Sequence, residues 1–160
     1  MLNVYLAHME LGDCTGHEAG RQLLSALWQE HIGTDLPPIA IAPGGKPCFM
    51  EGNWHFSISH TKKHAFCALS DAPIGIDAEE ADRKIDLRLA QKILSPGEQA
   101  QFDAAEDPRL TLLHFWVLKE AAAKLTGQGL RGYPNHTDFT LPDSRISQID
   151  DCLVAVITVI

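Results

Sequence analysis

The sequence contains no run of about 20 consecutive apolar residues, the length that a membrane-spanning helix needs. Its first residues, MLNVYLAHMELGD, show neither the basic leader nor the long apolar segment of a secretory signal. We therefore expect a cytoplasmic protein that does not bind a membrane.

Positive charge is also scarce. Lysine and arginine together number 13 against 21 aspartates and glutamates, which gives a formal net charge of -8. Proteins that bind nucleic acid usually carry a basic excess, because they neutralise phosphates. We expect no nucleic-acid partner, and an anionic ligand would need a local basic patch.

Cysteine is sparse and scattered. Cys14, Cys48, Cys67 and Cys152 form no C-x-x-C pair, which argues against a structural zinc site and against a disulfide framework. We expect reduced thiols, most of them buried. The chain also shows no internal repeat, low-complexity tract or long linker.

What is present predicts a single α+β domain over residues 1–160. Capping-box spacing marks two helix starts, at Thr15 with Glu18 and at Ser95 with Glu98. A third helix is expected over about residues 109–126, ending at Gly127. The predicted strands cover residues 2–9, 55–60, 64–70, 73–79, 136–141 and 152–160, with a short apolar run at 39–42 before the turn PGGKP.

The strand PIGIDAE carries two acids on one face. Ile74, Ile76 and Ala78 alternate with Asp77 and Glu79, so both carboxylates point the same way, roughly 6.6 Å apart along the strand. Paired carboxylates suit a hard cation such as Mg²⁺. A solvated strand end explains the same pattern, so both interpretations stay open at this point.

The stretch FWVLKEAAAKLTG places charges in an apolar helix. Trp116, Glu120 and Lys124 are four residues apart and share one stripe, whereas Lys119 lies about 100° round the helix from Glu120. Glu120 and Lys124 also have the spacing of a plain helix salt bridge. Because almost no polar face remains, we expect the helix to be enclosed and its charges to point into a specific site.

Two further candidates are ambiguous alone. His60 ends the strand HFSISH on the side of Phe56 and Ile58, where a histidine is more often a core or rim residue, while Ser57 and Ser59 face the other way. Lys46 lies in the turn GGKP, where a lysine is usually solvated.

Five short motifs in order resemble the 4′-phosphopantetheinyl transferase superfamily, in its surfactin-activating type. They are GKP (45–47), FSISH (56–60), GIDAE (75–79), LSPGE (94–98) and WVLKEAAAKLTG (116–127). Each is weak singly, but the five in this order are specific, and they span about half of the chain.

The resemblance implies transfer of the phosphopantetheine arm of coenzyme A to a serine of an apo acyl or peptidyl carrier protein, with release of adenosine 3′,5′-bisphosphate. It implies Mg²⁺, with Mn²⁺ as an alternative, and coenzyme A as co-substrate. The residues carried over are Asp77, Glu79 and Glu120 for the metal, Glu120, Lys124 and Lys119 for catalysis, and Lys46, Pro47, Ser59, His60 and Lys124 for the coenzyme.

The resemblance further implies a pseudo-dimer of two similar α+β lobes, approximately residues 1–72 and 73–160, and a monomer in solution. The segment before GKP is brief for the family. We therefore expect fewer of the basic contacts that the family often makes there to the 3′-phosphate of the coenzyme. Arg83, Lys84, Arg88 and Lys92 form a local basic run that we expect to dock an acidic carrier; an ordinary solvated helix face is the alternative.

Two other functions stay open on the sequence. One is a magnesium-dependent phosphohydrolase that uses the same three carboxylates on a nucleotide. The other is a non-catalytic module that binds the carrier or the coenzyme.

Overall fold

The computed structural model describes residues 1–127 and 137–159. Two antiparallel three-stranded sheets build it. The first sheet has the order β1-β5-β4 and the second the order β6-β8-β7, and a separate two-stranded hairpin pairs β2 with β3. The strands are β1 (Val4–Glu10), β2 (Ile39–Ile41), β3 (Pro47–Phe49), β4 (His55–His60), β5 (His64–Ser70), β6 (Ile74–Glu80), β7 (Ile146–Ile149) and β8 (Cys152–Thr158).

In the described part of the chain, four α-helices accompany the sheets. They are α1 (Gly16–His31), α2 (Ala90–Ile93), which follows a 3-10 turn at Leu87–Leu89, α3 (Pro96–Asp103) and α4 (Pro108–Thr126). No helix within residues 1–127 and 137–159 is both long and apolar enough to cross a bilayer.

The chain forms four layers, in the order helix, sheet, sheet, helix. On β5, Cys67 and Leu69 pack toward α1, whereas Phe66 and Ala68 pack against β6 and β8. On the far side, β8 packs against α4. The apolar layer between the sheets therefore joins the two halves. This packing fixes the relative positions of residues that are far apart in the sequence.

Both halves repeat one topology. Apart from the β2–β3 hairpin in the first half and the 3-10 turn, α2 and α3 in the second, each runs strand, helix, strand, strand. In each sheet the last of these strands lies in the centre, β5 in the first and β8 in the second. The α+β fold class is confirmed, and the repeat agrees with two similar lobes. The border between residues 72 and 73 stays a prediction.

Local signals placed the helix ends correctly. Thr15 Oγ1 accepts from the Glu18 amide, and Ser95 and Glu98 form a reciprocal capping box. Gly127 ends α4 with φ of 76°, a left-handed conformation that favours glycine.

One predicted strand is wrong. Residue 136 of the predicted strand 136–141 lies outside the described residues, and residues 137–141 form no strand. There the backbone amides of Phe139 and Leu141 donate to Glu98 and Gln101 of α3 instead of to a neighbouring strand. Besides β6, β8 pairs with β7, which lies within the segment 142–151 that was expected to be a connection.

Candidate active site

The two faces of strand β6 carry different kinds of side chain. Ile76 and Ala78 point into the apolar layer between the sheets, and Asp77 and Glu79 occupy the alternate positions. Gly75 lets β6 approach α4 closely, since a Cβ there would overlap the backbone of Ala121. The strand and the helix that carry the predicted charges are therefore in direct contact.

Serine hydroxyls connect β6 to the first sheet. The Ser57 Oγ accepts from the Ile76 amide at 3.1 Å, and the Ser59 Oγ accepts from the Ala78 amide at 3.0 Å. Ser59 also donates to Asp77 Oδ1 at 3.3 Å. Ser59 is buried and hydrogen-bonded to β6. The structure thus places this residue, which was predicted to bind the coenzyme, next to Asp77.

Asp77 is a buried carboxylate with one oxygen engaged. Its Oδ1 lies 3.1 Å from Lys124 Nζ, whereas its buried Oδ2 has no hydrogen-bond partner among the described residues. Burial raises the pKa of Asp77 to about 7, Lys124 opposes the rise, and Glu120 and Glu79 add to it. A buried, unpartnered carboxylate oxygen is costly and marks a position where a cation would be stabilising.

Glu79 is held by two donors. Its Oε1 accepts from Arg83 Nη1 at 2.7 Å and from Trp116 Nε1 at 3.1 Å. The Arg83 guanidinium also lies over the Trp116 ring, 5.5 Å from its centroid. The tryptophan on the charged stripe of α4 thus orients a carboxylate of β6.

Glu120 is the third member of what we call the acidic group, which consists of Asp77, Glu79 and Glu120. Burial raises its pKa, with Lys124 lowering it, Glu79 raising it and Arg83 lowering it. Asp77, Glu79 and Glu120 therefore affect one another electrostatically. Within the part of the chain that the structure describes, their oxygens do not all lie within 4.8 Å of one another, and Lys124 and Arg83 compensate part of their charge.

The three carboxylates fit a hard divalent cation. Oxygen ligands are what Mg²⁺ and Mn²⁺ prefer, and three acids exceed the charge of two bases. The free Oδ2 of Asp77 supplies one ligand atom without the loss of a hydrogen bond. Asp77, Glu79 and Glu120 are the residues that would hold the ion.

A cavity of about 310 Å³ lies next to this acidic group. Its walls come from α1, the turn before β3, β4 and the end of α4. The charged and polar side chains that line it are His17, Arg21, Lys46, Ser57, His60 and Lys124. This basic lining is the local patch that an anionic ligand needs in a chain of net negative charge.

Lys46, Pro47 and His60, which the motifs assigned to the coenzyme, lie in the wall of this cavity. Lys46 Nζ donates to the Ile74 carbonyl at 3.0 Å, and burial lowers its pKa, with Cys48 opposing and Lys124 adding to the effect. The exposed His60 lies against Gly16 at the start of α1, where a Cβ would overlap its ring.

Lys119 points elsewhere. Its Nζ forms an ion pair with Glu98 Oε1 at 2.7 Å, and both side chains are buried. Burial lowers the pKa of Lys119, while Glu98 opposes the shift. Glu98 Oε2 also accepts from the Phe139 amide at 2.7 Å, so this pair ties α4 to α3 and to the following segment. Through this pair, Lys119 contributes to the position of α4.

One residue of the basic run, Arg83, has a different environment from the other three. Arg83 pairs with Glu79 of the acidic group, and the exposed Arg88 pairs with Asp86 at 2.8 Å. Lys84 and Lys92 are exposed. A docking role thus stays a prediction for Lys84, Arg88 and Lys92, and Arg83 has a different task.

Sequence reasoning missed the positions of Arg83, Arg21 and His17. Arg83 follows Glu79 by four residues, but that spacing has no fixed meaning where a strand runs into a turn. Arg21 and His17 lie on the first turns of α1, where a polar residue also fits a solvated face.

A model of the 4′-phosphopantetheinyl transferase superfamily matches residues 73–151. The chain is 38% identical over 123 residues to 4′-phosphopantetheinyl transferase psf-1 of Bacillus pumilus, covering 71% of this chain and 52% of that relative.

Two further relatives agree. The chain is 36% identical over 89 residues to 4′-phosphopantetheinyl transferase Sfp of Bacillus subtilis strain 168, covering 54% of this chain and 39% of the relative. It is 33% identical over 88 residues to 4′-phosphopantetheinyl transferase gsp of Aneurinibacillus migulanus, covering 54% and 36%. The matched part of the chain thus spans about half or less of the length of these curated relatives.

Proposed function

We propose that this chain, which belongs to the 4′-phosphopantetheinyl transferase superfamily, transfers the phosphopantetheine arm of coenzyme A to a serine of an apo carrier protein. In the reaction, the serine oxygen bonds to the phosphorus that bears the pantetheine arm. The bond from that phosphorus to the bridging oxygen breaks, and adenosine 3′,5′-bisphosphate leaves. The serine proton passes to a base.

One observation supports this proposal above the others. Lys124 donates to Asp77 of the acidic group and also lines the basic cavity. A ligand with a diphosphate next to a nucleotide would extend from the cavity toward the carboxylates past this lysine. Coenzyme A has that shape and charge.

The cavity residues would bind the nucleotide half of the coenzyme. Lys46, His60 and Arg21 provide positive or hydrogen-bonding groups for phosphates, and Pro47 adds an apolar wall. The 3′-phosphate of the coenzyme also requires a positively charged or hydrogen-bonding partner. Arg21 and His17 of α1, which line the cavity, are the candidates for this contact.

Asp77, Glu79 and Glu120 would hold Mg²⁺, or Mn²⁺ in its place. A bound divalent ion supplies charge stabilisation for the diphosphate as negative charge moves to the leaving oxygen. Ser59 keeps Asp77 in place through its hydroxyl, and Trp116 and Arg83 do the same for Glu79.

Glu120 is assigned as the base that takes the serine proton. Burial raises its pKa, which brings its basicity closer to that needed near neutral pH. Lys124 would stabilise phosphate charge, and Lys119 would act as a positioning residue that fixes α4 through Glu98.

The partners follow from this assignment. The acceptor is an apo acyl or peptidyl carrier protein, and the reaction belongs in the cytoplasm. We further propose that the two lobes act as a monomeric pseudo-dimer without nucleic-acid or membrane partners.

Mass spectrometry tests the proposal. Candidate apo carriers are incubated with the protein, coenzyme A and Mg²⁺, and the expected result is a carrier heavier by one phosphopantetheine. Release of phosphate or nucleotide without a modified carrier would favour the phosphohydrolase. Binding of coenzyme A without either product would indicate a non-catalytic module.

A further inference from the structure

A second group of metal-ligating side chains lies on the opposite face of β6 from the acidic group. Glu80 follows Ile74, Ile76 and Ala78 on the face toward the apolar layer between the sheets. Its carboxylate meets His64, the first residue of β5, and Cys152, the first residue of β8. The three residues come from three strands and from both sheets.

The distances within this trio are those of a coordination polyhedron. His64 Nδ1 lies 3.4 Å from Glu80 Oε1, Cys152 Sγ lies 3.5 Å from His64 Nδ1, and Cys152 Sγ lies 3.5 Å from Glu80 Oε2. Bonds of about 2.0 to 2.3 Å from zinc to nitrogen, oxygen and sulfur, set at tetrahedral angles, give ligand separations of about 3.4 to 3.6 Å. The trio approaches one face of such a tetrahedron, with Glu80 meeting His64 through Oε1 and Cys152 through Oε2.

The trio is also supported from outside. Thr61 Oγ1 donates to Glu80 Oε1 at 2.7 Å, and Asp150 Oδ2 lies 4.0 Å from His64 Nε2, on the side of the ring away from the trio. A carboxylate behind a histidine ligand fixes the ring and its tautomer in many metal sites.

The location suits a structural ion with access from solvent. Cys152 and His64 are buried, and Glu80 is partly exposed. A surface depression lined in part by Leu11, Lys62 and Asp150 reaches His64. Of the three residues, His64 lines this depression, and the partly exposed Glu80 gives the trio its own contact with solvent.

We propose that His64, Glu80 and Cys152 bind a zinc-class ion that clips the first sheet to the second. Imidazole and thiolate select Zn²⁺ over Mg²⁺, whereas the carboxylate group of Asp77, Glu79 and Glu120 favours the reverse. Three protein ligands leave the fourth position to a water. This site goes beyond the proposed transferase activity and does not depend on it.

Cobalt spectroscopy tests the proposal, because Co²⁺ replaces Zn²⁺ and reports its ligands. Titrated into the purified chain, Co²⁺ should give a near-ultraviolet thiolate-to-cobalt band and the visible bands of tetrahedral coordination. Zn²⁺ should abolish both bands, and Mg²⁺ should leave them unchanged. An absence of the bands would mean that the trio is only a hydrogen-bonded network, and would overturn the proposal.

Variants identify the ligands. Cys152→Ser should remove the thiolate band and weaken Co²⁺ binding by at least about 100-fold. The matched control Cys48→Ser removes a half-buried thiol of β3, and it should keep the full spectrum. Bands that survive in Cys152→Ser, or that disappear in Cys48→Ser, would contradict the assignment.

A stability measurement covers the case in which Cys152→Ser folds poorly. Zn²⁺ at a 100-fold excess over its Kd should raise the Tm of the wild-type chain by about 5 to 10 °C. The partly exposed Glu80→Gln should lose most of that increase. Asp77→Asn, which alters only the acidic group, should keep it, so failure of this site is separate from failure of the transferase.

Discussion

The ammonium group of Lys124 lies 3.1 Å from Oδ1 of Asp77, while the other, buried oxygen of Asp77 has no hydrogen-bond partner within residues 1–127 and 137–159. The lysine comes from the last turns of α4 and the aspartate from the middle of β6. The pair marks the point where the acidic group and the basic cavity adjoin. The expected binding of a metal ion and of coenzyme A depends on this junction.

Glu120→Gln should lower transfer to the apo carrier by about 10² to 10⁴-fold, because the amide cannot accept the serine proton. Single-turnover mass spectrometry of the carrier measures the rate, and circular dichroism checks the fold. Glu106→Gln, at an exposed position outside the site, is the matched control and should react normally. Near-normal turnover of Glu120→Gln would remove Glu120 from the mechanism.

Asp77 should make stability depend on pH in the absence of divalent metal. The folded chain keeps the Asp77 proton up to a pKa of about 7, whereas the unfolded chain loses it near 3.8. Between these values the folded state binds more protons, so this group lowers the free energy of unfolding as pH rises from about 4 to about 7, by up to about 4 kcal/mol.

The measurement compares urea unfolding of wild type and Asp77→Asn across that pH range with a chelator present. The asparagine cannot ionise, so the variant should gain stability relative to wild type as pH rises. At pH 7.5, added Mg²⁺ should stabilise wild type and leave Asp77→Asn unchanged. Parallel pH curves, or equal stabilisation by Mg²⁺, would refute the assigned role of Asp77.

Glu98→Gln should destabilise the fold by about 3 to 5 kcal/mol, because it removes the carboxylate charge that forms the ion pair with the buried Lys119. Denaturant unfolding measures the loss. The double variant Glu98→Gln with Lys119→Met should recover most of it, since no unpaired charge then remains in the interior. If the double variant is as unstable as the single one, the ion pair is not what holds α3 to α4.

His60→Ala should raise the KM for coenzyme A by about 10-fold while changing kcat little, since His60 lines the cavity and lies apart from the acidic group. Initial rates at saturating carrier give both constants. His31→Ala is the control, because His31 stacks on Tyr5 at a ring distance of 3.7 Å and does not line the cavity. A lower kcat with unchanged KM would contradict coenzyme binding by His60.

Charge reversal of Lys84 and Lys92 tests carrier docking. Both are exposed, so Lys84→Glu with Lys92→Glu should raise the KM for an acidic carrier several-fold, more strongly at low salt, and leave the KM for coenzyme A unchanged. Arg83 is left intact, because it pairs with Glu79. An unaltered KM for the carrier would exclude this face as the docking surface.

Much of the secondary structure could be predicted from the sequence. The Ser95 and Glu98 capping box, the end of α4 at Gly127 and the face shared by Asp77 and Glu79 all follow from neighbours within a few residues. The strand predicted at 136–141 failed because amides of that segment found side-chain acceptors on α3, a long-range contact that a local pattern does not contain.

The candidate site, too, could be predicted only in part from the sequence. The motifs identified Lys46, His60 and Lys124, which all line the cavity. They did not indicate that Arg83 would bind Glu79, nor that Lys119 would turn to Glu98.

The sequence alone determined the α+β class, the helix ends and the stripe that holds Trp116, Glu120 and Lys124, because periodicity and capping act between near neighbours in the chain. Only the tertiary structure decided which charges meet. Asp77 faces Lys124, and His64, Glu80 and Cys152 converge from three strands, because the packing of two sheets and a helix sets distances between residues that are far apart in sequence.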